Sequence, residues 1–127
     1  MMKRLLLAAL VASALGGAAL AGNHQLHPVV IQDDTAWGNL GDARSSANGS
    51  EYIGCHVFGS AASNPLAICE ARDERGASLF CSTSEPAMVT AATAFGPTAF
   101  VTFGVNKDGQ CRHVWSINLS YYAPAVP

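Results

Sequence analysis

Charged residues are scarce in this sequence, and those present do not form runs. Asp, Glu, Lys and Arg make up 13% of the 127 residues, and the formal net charge is −2. Proteins that bind nucleic acid or anionic lipid through electrostatics carry a cluster or stripe of Lys and Arg, which this chain lacks. The composition therefore argues against nucleic acid and against a charged membrane surface as partners.

Motifs of the common catalytic sites are also missing. The sequence has no G-x-S-x-G, H-E-x-x-H or S-x-x-K pattern and no Gly-rich phosphate loop. A Ser-His-Asp triad is defined by geometry and not by chain order, so a small hydrolase stays as a remote alternative. No residue is marked as catalytic or cofactor-binding, and the sequence favours a protein that is not an enzyme and holds no cofactor.

Residues 1–21 have the three parts of a cleavable signal peptide. Lys3 and Arg4 form a positive n-region, an apolar stretch follows, and Ala19-Leu20-Ala21 has the A-x-A form of a cleavage site. The alternative is a membrane anchor, but the apolar stretch is shorter than the about 20 residues that span a bilayer. We predict cleavage after Ala21 and a periplasmic or secreted product that has no membrane span after processing.

Removing residues 1–21 leaves enough chain for one domain with a modest core. Five basic side chains then stand against nine acidic ones, a balance of −4. We expect residues 22–50 to be a loop-rich segment of the domain, with one edge strand near residues 28–31. Residues 51–127 are expected to form a β-rich core that contains all the cysteines.

The sequence has four cysteines, and an even number of cysteines in an exported chain predicts two disulfides. The four are Cys55, Cys69, Cys81 and Cys111. The alternative is a metal site, because His56 follows Cys55 and His113 lies close to Cys111. Neither place has the C-x₂₋₄-C spacing of a structural zinc site, so we predict no metal.

A predicted hairpin suggests how the cysteines pair. Residues 66–72 and 77–82 flank a turn that ends in Gly76. If Asp73 pairs with Ala77, Cys69 lies directly opposite Cys81, where Cβ atoms are about 4.5–5.5 Å apart, close to disulfide distance. We therefore predict Cys69–Cys81 and, from what remains, Cys55–Cys111; a register change of one residue would undo this pairing.

A second hairpin is predicted around the turn at Asp108-Gly109, between residues 100–105 and 110–119. Pairing Asn106 with Gln110 places a mostly apolar set on one face, which we interpret as the core side. That set is Val101, Phe103, Val105, Cys111, His113, Trp115, Ile117 and Leu119. In this register His113 lies opposite Phe103 and is interpreted as a buried or half-buried structural histidine.

Residues 51–58 form a further predicted strand with apolar or amphipathic side chains on both faces. Its inward set is Ile53, Cys55 and Val57, and its other set is Tyr52, His56 and Phe58. A strand covered on both sides lies in the middle of a sheet, which we predict for this one. Weak candidates for contacts with a ligand are Tyr52, His56, Phe58 and His113. A covering helix would explain the three residues of this strand equally well.

A short helix is predicted over residues 84–95, with Ser84 as its cap and Gly96-Pro97 as its stop. A strand is the alternative, because several residues there are β-branched. Asp33, Asp34 and Asp42 offer oxygen ligands for Ca²⁺, but the loop pattern of such sites is absent, so we interpret them as solvated acids. Asp73, Glu74 and Arg75 are interpreted as solubility residues at a hairpin tip.

The order of several short segments resembles a set of small exported bacterial proteins with four cysteines and no established activity. These segments are A-R-S-S, S-E-Y-I-G-C, C-E-A-R-D-E-R-G, F-C-S-T, V-N-K-D-G-Q-C and N-L-S-Y-Y-A-P, within residues 42–124. The resemblance implies export, two disulfides and a β-rich fold. It transfers no functional residue.

The sequence thus predicts a mainly β, β-rich α+β fold: a small antiparallel sheet or sandwich with one short helix, stapled by two disulfides. A rigid scaffold of this kind suits a binding or inhibitor-type module for a protein partner outside the cytoplasm. The alternative is a structural or stress-related envelope protein without a tight partner.

Overall fold

Seven strands and two α-helices build the described part of the chain, which in this computed structural model is residue 23 and residues 25–122. The strands are β1 (Val30–Gln32), β2 (Thr35–Asn39), β3 (Tyr52–Ser60), β4 (Ser63–Arg72), β5 (Ser78–Thr83), β6 (Phe100–Val105) and β7 (Cys111–Ile117). The helices are α1 (Leu40–Arg44) and α2 (Pro86–Thr93), and a 3₁₀ turn covers Ser120–Tyr122. The predicted signal peptide and its cleavage site lie outside the described residues.

The strands form two antiparallel sheets, in the orders β1-β2-β6-β7 and β3-β4-β5. Side chains of both sheets share one core, in which Val101 and Phe103 of β6 are fully buried, as are Cys69 of β4 and Cys81 of β5. The mainly β fold with two disulfides is therefore confirmed. In the part of the chain that the structure describes, no helix has the length and apolarity needed to cross a bilayer.

The β4–β5 hairpin has the predicted register, but the predicted disulfide pairing is wrong. Cys69 does lie opposite Cys81, and it also lies opposite Cys55 on its other side. The bonds are Cys55–Cys69, within one sheet, and Cys81–Cys111, which joins the two sheets. The prediction is wrong because β4 is the central strand, so each of its residues has a direct neighbour on both sides. The β4–β5 hairpin reveals only Cys81 as a neighbour of Cys69 and does not reveal Cys55 on β3.

The predicted core face of β7 is also wrong beyond its first residues. Val105 pairs with Cys111 as expected, but Gly104 pairs with His113, so β7 carries one extra residue at Arg112. Because side chains alternate along a strand, one extra residue turns every later side chain to the opposite face. Val114 is consequently buried, whereas Trp115 is 58% exposed.

Strand β3 lies at the edge of its sheet, contrary to the central position predicted for it. Its partner β4 occupies the centre because it pairs with β3 on one side and with β5 on the other. Ile53 is buried and Cys55 is half-buried, whereas Val57, predicted to face inward, is 39% exposed. The apolar side chains on the second face of β3 are thus not explained by burial in the middle of a sheet.

The segment predicted to be loop contains β2 and α1. Strand β1 is an edge strand near the predicted place, and Asp33-Asp34 forms the turn to β2. Strand β2 pairs with β6, about sixty residues later in the sequence, and buries Ala36 and Asn39. The segment before β1 lies close to Gly38, where a Cβ would be 3.0 Å from the Cα of Val29.

Helix α2 confirms the predicted helix and shortens it. Its N-cap is Glu85, which makes no side-chain capping bond, and Pro86 occupies the first turn, so the predicted cap at Ser84 is wrong. Val89 and Ala92 are buried, while Met88, Ala91 and Phe95 pack partly buried against the core. The helix closes one end of the core against β7, β3 and β4.

The turn between β4 and β5 contains a buried carboxylate, Asp73, and not the solvated side chain expected. Asp73 is 2% exposed and accepts hydrogen bonds from the backbone N–H groups of Arg75 and Ala77, each at 3.0 Å. The Arg75 guanidinium donates to its other oxygen at 3.1 Å. Burial opposes ionisation, but these bonds and the charge of Arg75 outweigh it, so the pKa of Asp73 lies below its ordinary 3.8.

We expect Asp73 to make folding sensitive to acid. Its pKa is lowered in the folded state, so its contribution is fully present above about pH 4, near the unfolded pKa, and disappears as pH falls through the folded pKa. The free energy of unfolding of wild type and Asp73→Asn, measured by urea melts between pH 7 and pH 2, should therefore converge as the solution becomes acidic. A constant difference between the two proteins across that range would contradict this role.

Candidate binding face

The outer face of the β3-β4-β5 sheet carries several large apolar side chains. Side chains of alternate residues point to the same face of a strand, and directly opposed residues share a face. The face, called here the aromatic face, consists of Tyr52, His56, Phe58, Leu66, Ile68, Glu70, Arg72 and Phe80. It includes three of the four weak contact candidates, and the structure brings them together on one surface.

The aromatic rings of this face are open to solvent. Tyr52 is 46% exposed, Phe58 is 53% exposed and Phe80 is 67% exposed, while Leu66 and Ile68 between them are half-buried. Both helices contribute buried side chains to the shared core, Ala43 from α1 and Val89 and Ala92 from α2. Phe80, Leu66 and Ile68 were missed by sequence reasoning, although the predicted hairpin register already placed Phe80 opposite Glu70.

Polar side chains cross the middle of the aromatic face. The His56 imidazole lies 3.1 Å from a Glu70 carboxylate oxygen, and the two groups come from neighbouring strands. The His56 ring also stacks on Phe58, with 6.1 Å between ring centroids and 18° between planes. This contact is solvent-exposed, so its contribution to folding is small, and it places polar groups beside the exposed rings.

Strand β3 adds a free edge to the aromatic face. Among the described strands it pairs with β4 alone, so alternate backbone N–H and C=O groups of Tyr52–Ser60 point away from the sheet. Such an edge is able to accept an extended segment of another chain as an additional strand. The aromatic face and the free edge meet along β3.

The fourth contact candidate, His113, lies on the other sheet and outside the aromatic face. It is half-buried on the outer side, with its ring centroid 4.8 Å from that of Trp115. Its neighbour across the ladder is Gly104 and not the predicted Phe103. A Cβ at Gly104 would lie 2.6 Å from the His113 Cε1 atom, so the imidazole rests directly on that glycine.

The surroundings of His113 favour the neutral form of its imidazole. Burial lowers the pKa of His113 below its ordinary 6.5, and the nearby Arg112 charge lowers it further, whereas Asp34 partly offsets both effects. Arg112 donates to Asp34 at 2.8 Å, and this pair ties the β1–β2 turn to β7. The contacts of His113 are those of a packed structural side chain.

Carboxylates do not converge on a cation site in the described residues. Asp34 accepts from Arg112, and Asp42 accepts from the backbone N–H of His27 at 2.7 Å. A surface cavity of about 500 Å³ beside α1 includes Asp42 and Glu51, but Glu51 also accepts from a backbone N–H, that of Val29. These acids therefore hold the N-terminal segment in place.

One cluster of metal-ligand side chains is found within residues 25–122. It consists of Cys69, Cys81 and Cys111, whose Sγ atoms all lie within 4.8 Å of one another. Each of these sulfurs is bonded in a disulfide, so none is available as a thiolate ligand. The two disulfides are direct neighbours in the core.

Comparison with protein-family models, with curated proteins and with solved structures finds no match to this chain.

Proposed function

We propose that the protein is an exported binding module that docks a protein partner on the aromatic face. The observation that carries the proposal is the set of three exposed rings, Tyr52, Phe58 and Phe80, on one sheet face. Export is supported by the signal-peptide pattern of residues 1–21, and the two disulfides suit an oxidising compartment.

The chemistry of the aromatic face is that of an interaction surface. Exposed aromatic side chains grouped on one face mark binding sites, because burying such rings against a partner releases much of the free energy of association. Solvation alone does not account for three rings on a single face, since polar residues usually cover the solvent side of a sheet. A structural envelope protein without a tight partner would not need this grouping.

The same face defines the chemistry of the partner. The rings and the half-buried Leu66 and Ile68 call for apolar side chains opposite them. Glu70 and His56 in the middle, and Arg72 near one end, call for hydrogen-bonding or charged groups at matching places. A rigid, disulfide-linked sheet loses little conformational freedom on docking, which suits an inhibitor-type module.

Capture of a partner tests the proposal. Mature protein is immobilised and exposed to the periplasmic extract or medium of the cells that produce it, alongside the variants Phe58→Ser and Phe80→Ser. We expect wild type to retain one partner at a stoichiometric level and each variant to retain it at least about tenfold more weakly, as for aromatic anchors of interfaces.

Trp115→Ser is the matched control, because Trp115 is an equally exposed aromatic residue on the other sheet. Urea melts of all variants show whether each is folded, and Trp115→Ser should retain the partner as wild type does. Docking on the aromatic face would be contradicted if Trp115→Ser lost as much partner binding as the test variants, or if wild type retained no partner.

A further inference from the structure

The two disulfides of this protein meet at one cluster of sulfur atoms. The Sγ atoms of Cys69, Cys81 and Cys111 lie within 4.8 Å of one another, and Cys55 is bonded to Cys69. Because Cys69 is directly opposite both Cys55 and Cys81, it has a bonding partner on either side. We propose that this cluster is a thiol–disulfide exchange site, in which a small-molecule thiol that attacks Cys55 causes a thiol to appear at Cys111.

Exposure decides which sulfur an external thiol reaches first. Cys55 is half-buried and lies on β3, an edge strand of its sheet. Cys69 is fully buried. A small thiol such as glutathione therefore attacks the Cys55 sulfur as its thiolate, forms a mixed disulfide there and releases the Cys69 thiolate.

The second step uses the neighbouring bond. The released Cys69 thiolate attacks the sulfur of Cys81, a Cys69–Cys81 bond forms, the Cys81–Cys111 bond breaks, and the electron pair leaves on Cys111. No electrons are gained or lost over the two steps, because the number of disulfide bonds is unchanged and one thiolate replaces another. Proximity favours this step, since the sulfurs are held together in the folded protein.

The product thiol appears on a different part of the surface. Cys111 borders a cavity of about 270 Å³, which Ser82, Glu85, Met88 and Gln110 also line. Cys111 is 6% exposed, and this cavity lies directly beside it. Reaction of an external thiol at the edge of one sheet thus produces a free thiol at Cys111, where the native Cys81–Cys111 bond had joined the two sheets.

Tryptic peptide mapping detects this exchange, because the exchange changes which peptides are linked by disulfides. Cleavage after Arg44, Arg72, Arg75, Lys107 and Arg112 places Cys55 and Cys69 in peptide 45–72, Cys81 in peptide 76–107 and Cys111 in peptide 108–112. In the native pairing, peptide 45–72 is closed on itself and peptide 76–107 is linked to peptide 108–112. After exchange, peptide 45–72 is linked to peptide 76–107, and peptide 108–112 is free.

Wild-type protein provides the first test. Folded protein is treated with reduced glutathione without denaturant, free thiols are blocked with iodoacetamide at matched times, and tryptic peptides are mapped. We expect glutathione on Cys55, the link between peptides 45–72 and 76–107, and blocked Cys111. Glutathione on Cys55 with blocked Cys69 and an unbroken Cys81–Cys111 link would overturn the proposal, as would no reaction at Cys55.

Two single substitutions provide the second test and its matched control. Cys55→Ser frees Cys69 inside the sulfur cluster, whereas Cys69→Ser frees Cys55, which does not belong to the cluster. We expect blocked peptide 108–112 to be at least about tenfold more abundant in Cys55→Ser than in Cys69→Ser, because of the difference in proximity. Equal amounts in the two variants would contradict the exchange, and the wild-type test decides the matter if Cys55→Ser does not fold.

Discussion

Replacing Cys81 and Cys111 together by alanine is expected to lower the free energy of unfolding by about 4 kcal/mol. The bond joins residues separated by 30 positions, and the loop-closure model assigns about 3.6 kcal/mol to a loop of that size. The bond also connects the two sheets in the core, where Cys81 is fully buried. A loss of this size is a large share of the about 5–15 kcal/mol that stabilises a small domain.

The variant Cys55→Ala with Cys69→Ala is the comparison, and its expected loss is smaller, about 3 kcal/mol or less. Its residues are separated by 14 positions, for which the same model gives about 3 kcal/mol. The ladder of β3 and β4 already holds these two residues opposite each other. Urea melts of both double variants under non-reducing conditions measure the difference, and an equal or larger loss for Cys55–Cys69 would mean that the sheets are joined mainly by packing.

Replacing Asn39 by alanine is expected to cost about 3 kcal/mol or more. Asn39 is completely buried, and its side-chain oxygen accepts from the backbone N–H groups of Gly41 and Asp42 at the start of α1. Its amide nitrogen donates to the carbonyl oxygens of Thr98 and Tyr122. Removing the Asn39 side chain lowers the free energy of unfolding by about 1 kcal/mol for the lost helix cap and by about 1–3 kcal/mol for each buried backbone group left without a partner.

Asn39→Ser separates the two parts of this effect, because serine is also a good N-cap residue but cannot donate to both carbonyls. We expect its loss in urea melts to be about 1 kcal/mol smaller than that of Asn39→Ala. Asn48→Ala is the control, since Asn48 accepts turn hydrogen bonds in a similar way but is exposed. If Asn39→Ala costs no more than Asn48→Ala, Asn39 does not organise the N-terminal segment.

Residue patterns over a few positions predicted much of the β4–β5 and β6–β7 hairpins. The register of Cys69 with Cys81 and the pairing of Val105 with Cys111 follow from turn residues and alternation, which act locally. The β6–β7 prediction failed beyond that pair because of one extra residue at Arg112. The prediction assumed regular alternation, because the sequence pattern does not reveal a β-bulge. The bulge at Arg112 therefore reversed the predicted faces of His113 and Trp115.

The candidate face was predicted in part. The alternation of β3 separated Tyr52, His56 and Phe58 from the core side, and the structure places them on one sheet face. Their exposure was not predictable, because an apolar second face is equally compatible with a covering helix or a neighbouring sheet. Phe80 joins them because β4 pairs on both sides, which brings β3 and β5 into one sheet.

By itself the sequence determined the β-rich class, the places of the hairpin turns, one helix and the presence of two disulfides, because short-range periodicity, turn residues and an even cysteine count encode them. Only the tertiary structure decided that Cys69 bonds to Cys55 and that β2 lies against β6. Cys69 has two cysteines equally close in space, and β2 pairs with a strand distant in the chain. Such choices depend on the packing of the whole core, which no local pattern contains.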